Sequence, residues 1–567
     1  MAHIRARHVE TGGDMTSVLE PITAIDSGQG LWGGATWVGQ INEADLGDRW
    51  LHLVDGEQFS RARLLIWTRG RPRGFVEIPV TNATVDGDDV LARVAALPPV
   101  AAGAPLTAFP PISVVVCTRD RPEHLRAVLG PLSRLDYPDF ELIVVDNNPA
   151  SGLTPPVVES FSDMPVRVIE APGKGLSIAR NAALKSAGHD IVAFTDDDVL
   201  VDPSWLTNLA ARFVEDDRVA CVCGMVPSAE LLTPAQSYFD RRVGWARQCD
   251  AAVYALADPP EDDCLFPLRV AQFGTGANFA VRRDAVTELG GFDEGLGIGS
   301  PTGGGEDIDL FVRVLLAGNK LVREPSAVVW HRHRRTAEEL ETQIHNYGLG
   351  LGGWIAKLLT QRQTVGMVLR RVGPGIRHLR GITAVDQSDV VDTEPILDGL
   401  DRRELTGVLQ GPLALLRARA AGRNANPLRP WKSLRVLDFR RSQMWGDPGN
   451  VIMAGRLALL AAVLGAVGSL GAIRTLPTAV LILVVAAFML AGPGSLLLSW
   501  YTHLPTYAVL PLIPVAGLAA CLVTVTGLLM VDVYHPIGVL LGLTLATTAG
   551  GLARCGYLAQ RRAVSVP

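Results

Sequence analysis

"AFTDDDVLVDPSWL", residues 193–206, sets three carboxylates, Asp196, Asp197 and Asp198, directly after an apolar run that reads as a buried strand. Like charges this close raise one another's pKa unless a cation neutralises them, and a cluster of hard oxygen ligands suits Mg²⁺ or Mn²⁺. Mg²⁺ is commonly held by one or two carboxylates together with substrate phosphates, so a substrate bearing a diphosphate is the economical partner. The competing reading is an acidic turn: "DPSWL" opens a helix, and for Asp202 capping that helix is the simpler role.

Outward from this stretch, short apolar runs recur: "ISVVVC" (112–117), "ELIVVD" (141–146), "VRVIEA" (166–171) and "DIVAFTD" (190–196). Helical stretches such as "PEHLRAVLGPL" and "GLSIARNAALKSAG" fall between some of them. This alternation predicts an α/β domain built from right-handed βαβ crossovers, with a parallel sheet covered on both faces. In such sheets a ligand sits outside the carboxyl ends of the strands, and Thr118, Asp146 and Asp196 fall at three such ends.

Six motifs stand in order along residues 112–335: "ISVVVCTRDRPEHLRAVL", "ELIVVDNN", "GLSIARNAAL", "IVAFTDDDVLVDPSWL", "GTGANFAVRRDAVTELGGFDE" and "GGGEDIDLFVRVLLAG". Together they resemble the family-2 glycosyltransferases. That resemblance implies the Rossmann-like GT-A fold for nucleotide-diphospho-sugars and an inverting sugar transfer dependent on a divalent metal, Mg²⁺ or Mn²⁺. It implies that Asp146 meets the donor base with Thr118 and Arg119 nearby, and that Arg180 and Asn181 face the nucleotide or its phosphates. Asp196 would lie near ribose and metal beside Asp197, and Asp198 would coordinate the metal that bridges the diphosphate. For Asp146 a helix cap, and for Arg180 an ordinary surface position, are the alternatives.

"GGGEDIDL", 303–310, offers the carboxylate pair for the chemistry. An inverting displacement needs one base to take the acceptor hydroxyl proton as that oxygen attacks the anomeric carbon. Asp307 is the candidate base and Glu306 the candidate for orienting the acceptor; a first-turn acid favoured by the helix dipole is the plain alternative. Asp309 and Arg313, four apart, read as an intrahelical pair. "GTGANFAVRR", 274–283, would form the floor between donor and acceptor, with Gly274, Gly276 and Asn278. "VVWHRHRR" puts His331 and His333 on one strand face. His331 matches a third metal-ligand position of GT-A enzymes, and a solvated basic strand end is the other reading.

The chain has 567 residues, a formal charge of −6 and 48% hydrophobic residues. No basic excess points to nucleic acid. Seven scattered cysteines lack paired spacing and read as buried thiols in a reducing compartment. The opening twenty residues lack an apolar signal core, which keeps the soluble part in the cytoplasm. The hydrophobic excess lies after Asn450, in four blocks at about 457–473, 475–499, 507–530 and 535–553, each near the ~20 residues a bilayer-spanning helix needs. Trp500, Tyr501, Tyr507 and Tyr534 lie near block ends, as interfacial aromatics do. "LDFRRSQMW" before the first block and "QRR" after the last, against Arg474 alone in the first outside loop, place both ends in the cytoplasm.

The expected organisation is a polar tail (1–25), a small β-rich module (26–98), a Pro/Ala-rich linker (99–111), the GT-A domain (112–335), an amphipathic, interfacial connecting region (336–450), about four transmembrane helices (451–558) and a cytoplasmic tail (559–567). The expected product is an integral protein of the cell membrane with its catalytic domain cytoplasmic. Its partners are a nucleotide-diphospho-sugar and a lipid-linked or cell-envelope glycan acceptor. Processive synthases of the resembled family carry Q-x-x-R-W after the base. "ETQIHNYGLG" and "RRSQMWGD" stand here instead, which favours a nonprocessive enzyme over the alternatives of a polysaccharide synthase or a noncatalytic nucleotide-sugar-binding scaffold.

Overall fold

The computed structural model describes residues 7–11, 14–25, 31–100, 106, 108–261, 263, 265–269, 272–361, 364–368, 371, 399–426, 448–472, 477–500, 506–530 and 535–564. The chain divides into two compact units, Met1–Leu437 and Asp438–Pro567.

The first unit opens with β1 (Arg7–Thr11), β2 (Asp14–Leu19), β3 (Trp37–Asn42), β4 (Trp50–Leu53), β5 (Arg61–Thr68), β6 (Arg71–Pro79), β7 (Thr84–Asp86) and helix α1 (Gly87–Ala95). They form a four-stranded sheet in the order β1-β2-β4-β7 and a three-stranded sheet in the order β3-β5-β6. The stretch expected as a polar tail thus includes two strands. β2 alternates, burying Ser17 and Leu19, and pairs with β4, whose Leu51 and Leu53 fill the same core. A six-residue polar strand shows its apolar partner only after pairing. The β-rich module packs against the α/β domain: Val38, Leu65 and Trp67 share a core with Met225, Leu231, Val328 and Trp330.

That domain begins with β8 (Ile112–Thr118), α2 (Pro122–Leu132), β9 (Phe140–Asp146), α3 (Thr154–Glu159), β10 (Val166–Glu170), α4 (Leu176–Ser186), β11 (Ile191–Thr195) and β12 (Val199–Val201). It continues through α5 (Trp205–Glu215), β13 (Val219–Met225), α6 (Pro234–Val243), β14 (Ala252–Tyr254), β15 (Asn278–Arg282), α7 (Arg283–Glu288), α8 (Glu306–Leu316) and β16 (Lys320–His331). A nine-stranded sheet runs β10-β9-β8-β11-β15-β13-β16-β12, with β14 also paired to β16. The half from β10 to β11 is parallel, as the alternation predicts. The other half is mixed, because β15 runs antiparallel to both β11 and β13. Periodicity reports burial, not pairing direction, so the sequence carries no mark of this reversal. One sheet face buries Val115, Val145 and Phe194 against α4 and α8. The other buries Val114, Val116 and Val144 against α2 and α5.

Among the described residues, this unit goes on to the long helices α9 (Ala337–Thr360) and α10 (Leu400–Ala420). Their expected role as an interfacial connector does not describe α9. Lys357 is only 3% exposed, with its ammonium 2.7 Å from both Asp293 and Asp309. A cation paired this deeply is held by counter-ions, not by lipid headgroups.

Among the described residues, the second unit has the α-helices α11 (Pro448–Gly468), α12 (Thr478–Leu498), α13 (Thr506–Met530) and α14 (Pro536–Val564). Among the described residues, Thr478–Leu498 and Pro536–Leu558 are long and apolar enough to cross a membrane. The other two helices have shorter apolar stretches, Met453–Gly468 and Leu512–Thr526. "LDFRRSQMW", Arg474, Tyr501 and Tyr534 lie outside the described residues.

Candidate active site

Each aspartate of the 196–198 cluster has its own cation, which answers the repulsion that the sequence poses. Arg180 approaches Asp196 at 3.3 Å. Arg121 pairs with Asp197 and lies 3.2 Å from Asp198. His331 Nε2 stands 3.4 Å from Asp198, and Arg334 stands 3.7 Å from it. Strand pairing delivers these partners: β12 runs antiparallel to β16 with Val199 opposite His331, and the Arg332 N–H donates to the Asp198 carbonyl at 3.1 Å.

Burial pushes the Asp196 carboxyl up to about 6 against the pull of Arg180, and neighbouring Asp198 adds to the rise. Burial also raises Asp197 to about 6, although Arg121 opposes it. For Asp198 burial works against the charge, yet His331, Arg121 and Arg334 together hold its carboxyl below the ordinary range. Ligand atoms of Asp196, Asp198 and His331 all lie within 4.8 Å of one another. Asp196 keeps its side chain 30% exposed, so the cluster opens outward. His331 Nδ1 is buried without a hydrogen-bond partner among the described residues. Two carboxylate oxygens and an imidazole nitrogen, with one open side for phosphate oxygens, fit Mg²⁺ or Mn²⁺.

Arg180 is no surface residue. It is 2% exposed, donates to the Gly276 carbonyl at 2.8 Å and to Glu306 at 3.1 Å, and lies over the rings of Phe279 and Phe292 at 5.4 and 5.6 Å. Its charge joins the aspartate cluster to the acids that open α8. Gly305 caps that helix at φ 94°, in left-handed space suited to glycine, and Glu306 and Asp307 follow in its first turn. Burial raises the Glu306 carboxyl to about 7, Asp307 beside it adds to the rise, and Arg180 opposes both. Asp307 is half-buried and accepts from the Gly276 N–H and the Ile308 N–H, each at 2.8 Å. A Cβ on Gly276 would sit 3.1 Å from Asp307 and 3.3 Å from Arg180, so this backbone passes tightly beside the Asp307 carboxylate and the Arg180 guanidinium.

The strand ends line the same crevice. Thr118 donates to Asp197 at 2.8 Å, and Asp146 lies opposite Thr118 in the β8–β9 pairing. Asp146 is buried and closes a turn by accepting from the Asn148 N–H at 2.9 Å. Arg119 donates to the Asn147 carbonyl. Two expected site residues face elsewhere. Asn181 exchanges two hydrogen bonds with the Phe292 backbone, at 2.9 and 2.7 Å. Asn278 is fully buried, accepting from Trp205 Nε1 and donating to the Met225 and Ala327 carbonyls. Gly274 packs on Cys223, where a Cβ would come within 2.4 Å of the Cys223 Cβ.

Sequence reasoning missed Arg121 and Arg334, although each follows a strand end already tied to the site. It also missed a brace from beyond α10. Arg423 donates to the carbonyls of Lys174, Gly299 and Glu294 at 2.7, 3.0 and 3.2 Å, tying the loop before α4 to the loop before α8. Arg419 adds a 2.7 Å ion pair to Asp293. No local motif announces contacts over such separations.

Residues 113–290 match the family model "Glycosyl transferase family 2". The chain is similar to the pre-mycofactocin glycosyltransferase of Mycobacterium tuberculosis, 30% identical over 241 residues that make up 42% of this chain and 46% of that protein. The match thus spans about half the length of that relative. The succinoglycan biosynthesis protein ExoM of Rhizobium meliloti is 28% identical over 279 residues, 47% of this chain and 78% of that protein. Among solved structures, the mannosyltransferase PcManGT from Pyrobaculum calidifontis in complex with GDP-Man and Mn²⁺ is similar at 18% identity and a TM-score of 0.34, over 61% of this chain and 84% of that one. The strand ends at Thr118 and Asp146 and the aspartate cluster at Asp196–Asp198 fall within the matched residues, the α8 carboxylates beyond them, and over residues 113–290 this chain is a glycosyl transferase family 2 domain.

Proposed function

We propose that this protein is a membrane-anchored, metal-dependent, inverting and nonprocessive glycosyltransferase that moves a sugar from a nucleotide-diphospho-sugar to a lipid-linked or cell-envelope acceptor on the cytoplasmic face. The observation that carries this reading is one crevice that joins Asp196, Asp198 and His331 to Glu306 and Asp307 through a single buried arginine, Arg180. The donor's base would meet Asp146, Thr118 and Arg119, with its diphosphate toward Asp196 and Asp198. A divalent metal held by Asp196, Asp198 and His331 would neutralise the departing diphosphate as a Lewis acid.

The rest falls to the chain's own groups. Asp307 takes the proton of the acceptor hydroxyl as that oxygen bonds to the anomeric carbon. The bond from that carbon to the diphosphate oxygen breaks on the opposite face, so configuration inverts. The N–H groups of Gly276 and Ile308 fix Asp307 in place. Burial and the adjacent Asp307 push the Glu306 carboxyl toward its protonated form, in which it can donate a hydrogen bond to the acceptor. Gly274, Gly276 and Asn278 shape the floor, Asn278 by holding β15 in register rather than by touching sugar.

The four apolar helices of the second unit support anchoring, and the flanking arginines of the sequence support cytoplasmic ends. Asp307→Asn should abolish transfer in the detergent-purified full chain while donor binding stays within a few-fold of the parent. Unchanged turnover would remove Asp307 from the base role.

A further inference from the structure

We propose that the outer face of α10 docks on the lipid surface of the membrane, giving the catalytic unit its own point of attachment. The helix is built inside out for a soluble protein. Its inner seam is glycine against glycine: a Cβ on Gly348 would meet the Glu404 carbonyl at 2.1 Å, one on Gly352 the Val408 carbonyl at 2.1 Å, and one on Gly411 the Gly353 nitrogen at 2.4 Å. Backbones this close leave no room inside for large side chains.

Leu400 and Leu415 still pack inward, but four other leucines lie outside. Leu405, Leu409, Leu413 and Leu416 are 59%, 73%, 51% and 66% exposed, and their spacing of four, four and three puts them on one stripe. Single exposed leucines are ordinary, but a continuous stripe marks an interaction surface. Charge selects the partner. The helix's two acids, Asp401 and Glu404, are both neutralised by Arg242 of α6. Arg402 and Arg417, near the two ends of the stripe, have no acidic partner among the described residues. Leucines rimmed by unpaired arginines suit an anionic lipid surface, with the arginine heads among phosphates and the leucines in the acyl boundary. A protein groove would need matching acids, whereas a bilayer is already implied by α12 and α14.

This proposal rests on the reading that the second unit is embedded in a membrane, and the test separates the two. The photoreactive residue p-benzoylphenylalanine is placed at Leu409, at Leu416 and, as a control on β14 that is 59% exposed, at Val253. The full chain is reconstituted in vesicles of phosphatidylcholine and phosphatidylglycerol, irradiated and analysed by mass spectrometry. Lipid adducts at 409 and 416 several-fold above those at 253 are expected. Crosslinks to peptides of this chain or a second copy would overturn the proposal, as would lipid adducts no greater than at 253. Release of the protein from the vesicles by carbonate would overturn the membrane reading and this proposal with it.

Discussion

Arg180 and Glu306 meet at 3.1 Å with both side chains buried, although 126 residues of sequence separate them. The same guanidinium reaches Asp196, so one cation serves carboxyls on both sides of the crevice. It does not offset their burial, since Asp196 remains raised to about 6 and Glu306 to about 7, while Asp197, paired with Arg121, is also raised to about 6.

These raised carboxyls make stability depend on pH. The three groups hold protons in the folded state that the unfolded chain releases above its ordinary carboxyl range of about 4. These three groups thus bind more protons in the folded state between about pH 4 and 7; buried His333, held below its ordinary range, gives the opposite slope, and with three carboxyls against that one imidazole, metal-free stability falls as pH rises through the window. Thermal unfolding midpoints in detergent with chelator should decline across it, and Mn²⁺ should restore more stability at pH 7 than at pH 5. A flat or rising metal-free profile would contradict the assignment.

Lys357 provides a test of the connecting region. Lys357→Ala leaves Asp293 and Asp309 buried without their shared cation, and breaking a buried pair costs about 3–5 kcal/mol. A lysine displayed at a membrane surface would cost a few tenths, so denaturant unfolding separates the cases. Asp293, which its cationic neighbours Lys357 and Arg419 hold down at about 2 despite burial, gives the opposite pH sign. Its stabilisation is complete above its ordinary value near 4 and fades as pH falls toward 2. Asp293→Asn should remove that acid limb.

Arg423 braces two loops of the site without touching the carboxylates. Arg423→Ala should raise amide hydrogen exchange several-fold in residues 173–175 and 294–299 and leave β8 and β11 unchanged. Arg423→Lys should restore only part of the protection, because an ammonium cannot span three carbonyls as a guanidinium does. Exchange that rises uniformly across the domain would mean that the residue serves global stability instead.

Much of the site was legible because strands that end at a ligand crevice show their ends in sequence. "ISVVVCT", "ELIVVD" and "IVAFTDDD" each pass from buried apolar residues to a polar group, and Thr118, Asp146 and Asp196 stand there. The antiparallel course of β15 was not legible, since an apolar strand has the same pattern in either direction. Neither was the inward position of Lys357. A lysine among leucines and alanines reads as a membrane-surface residue until Asp293 and Asp309, distant in sequence, are placed against it. The apolar blocks after Asn450 did become helices, while the leucine stripe of α10 was hidden by the glycines and alanines interleaved with it.

The most direct measurement is nucleoside-diphosphate release by the detergent-purified full chain across a panel of nucleotide sugars, with Mg²⁺, Mn²⁺ or chelator, beside Asp198→Asn. Release from one donor that requires metal and falls by at least about a hundredfold in Asp198→Asn, equal to ~2.7 kcal/mol of transition-state stabilisation, is the predicted result. Release that persists in chelator, or that Asp198→Asn leaves intact, would contradict a metal-held diphosphate at the aspartate cluster.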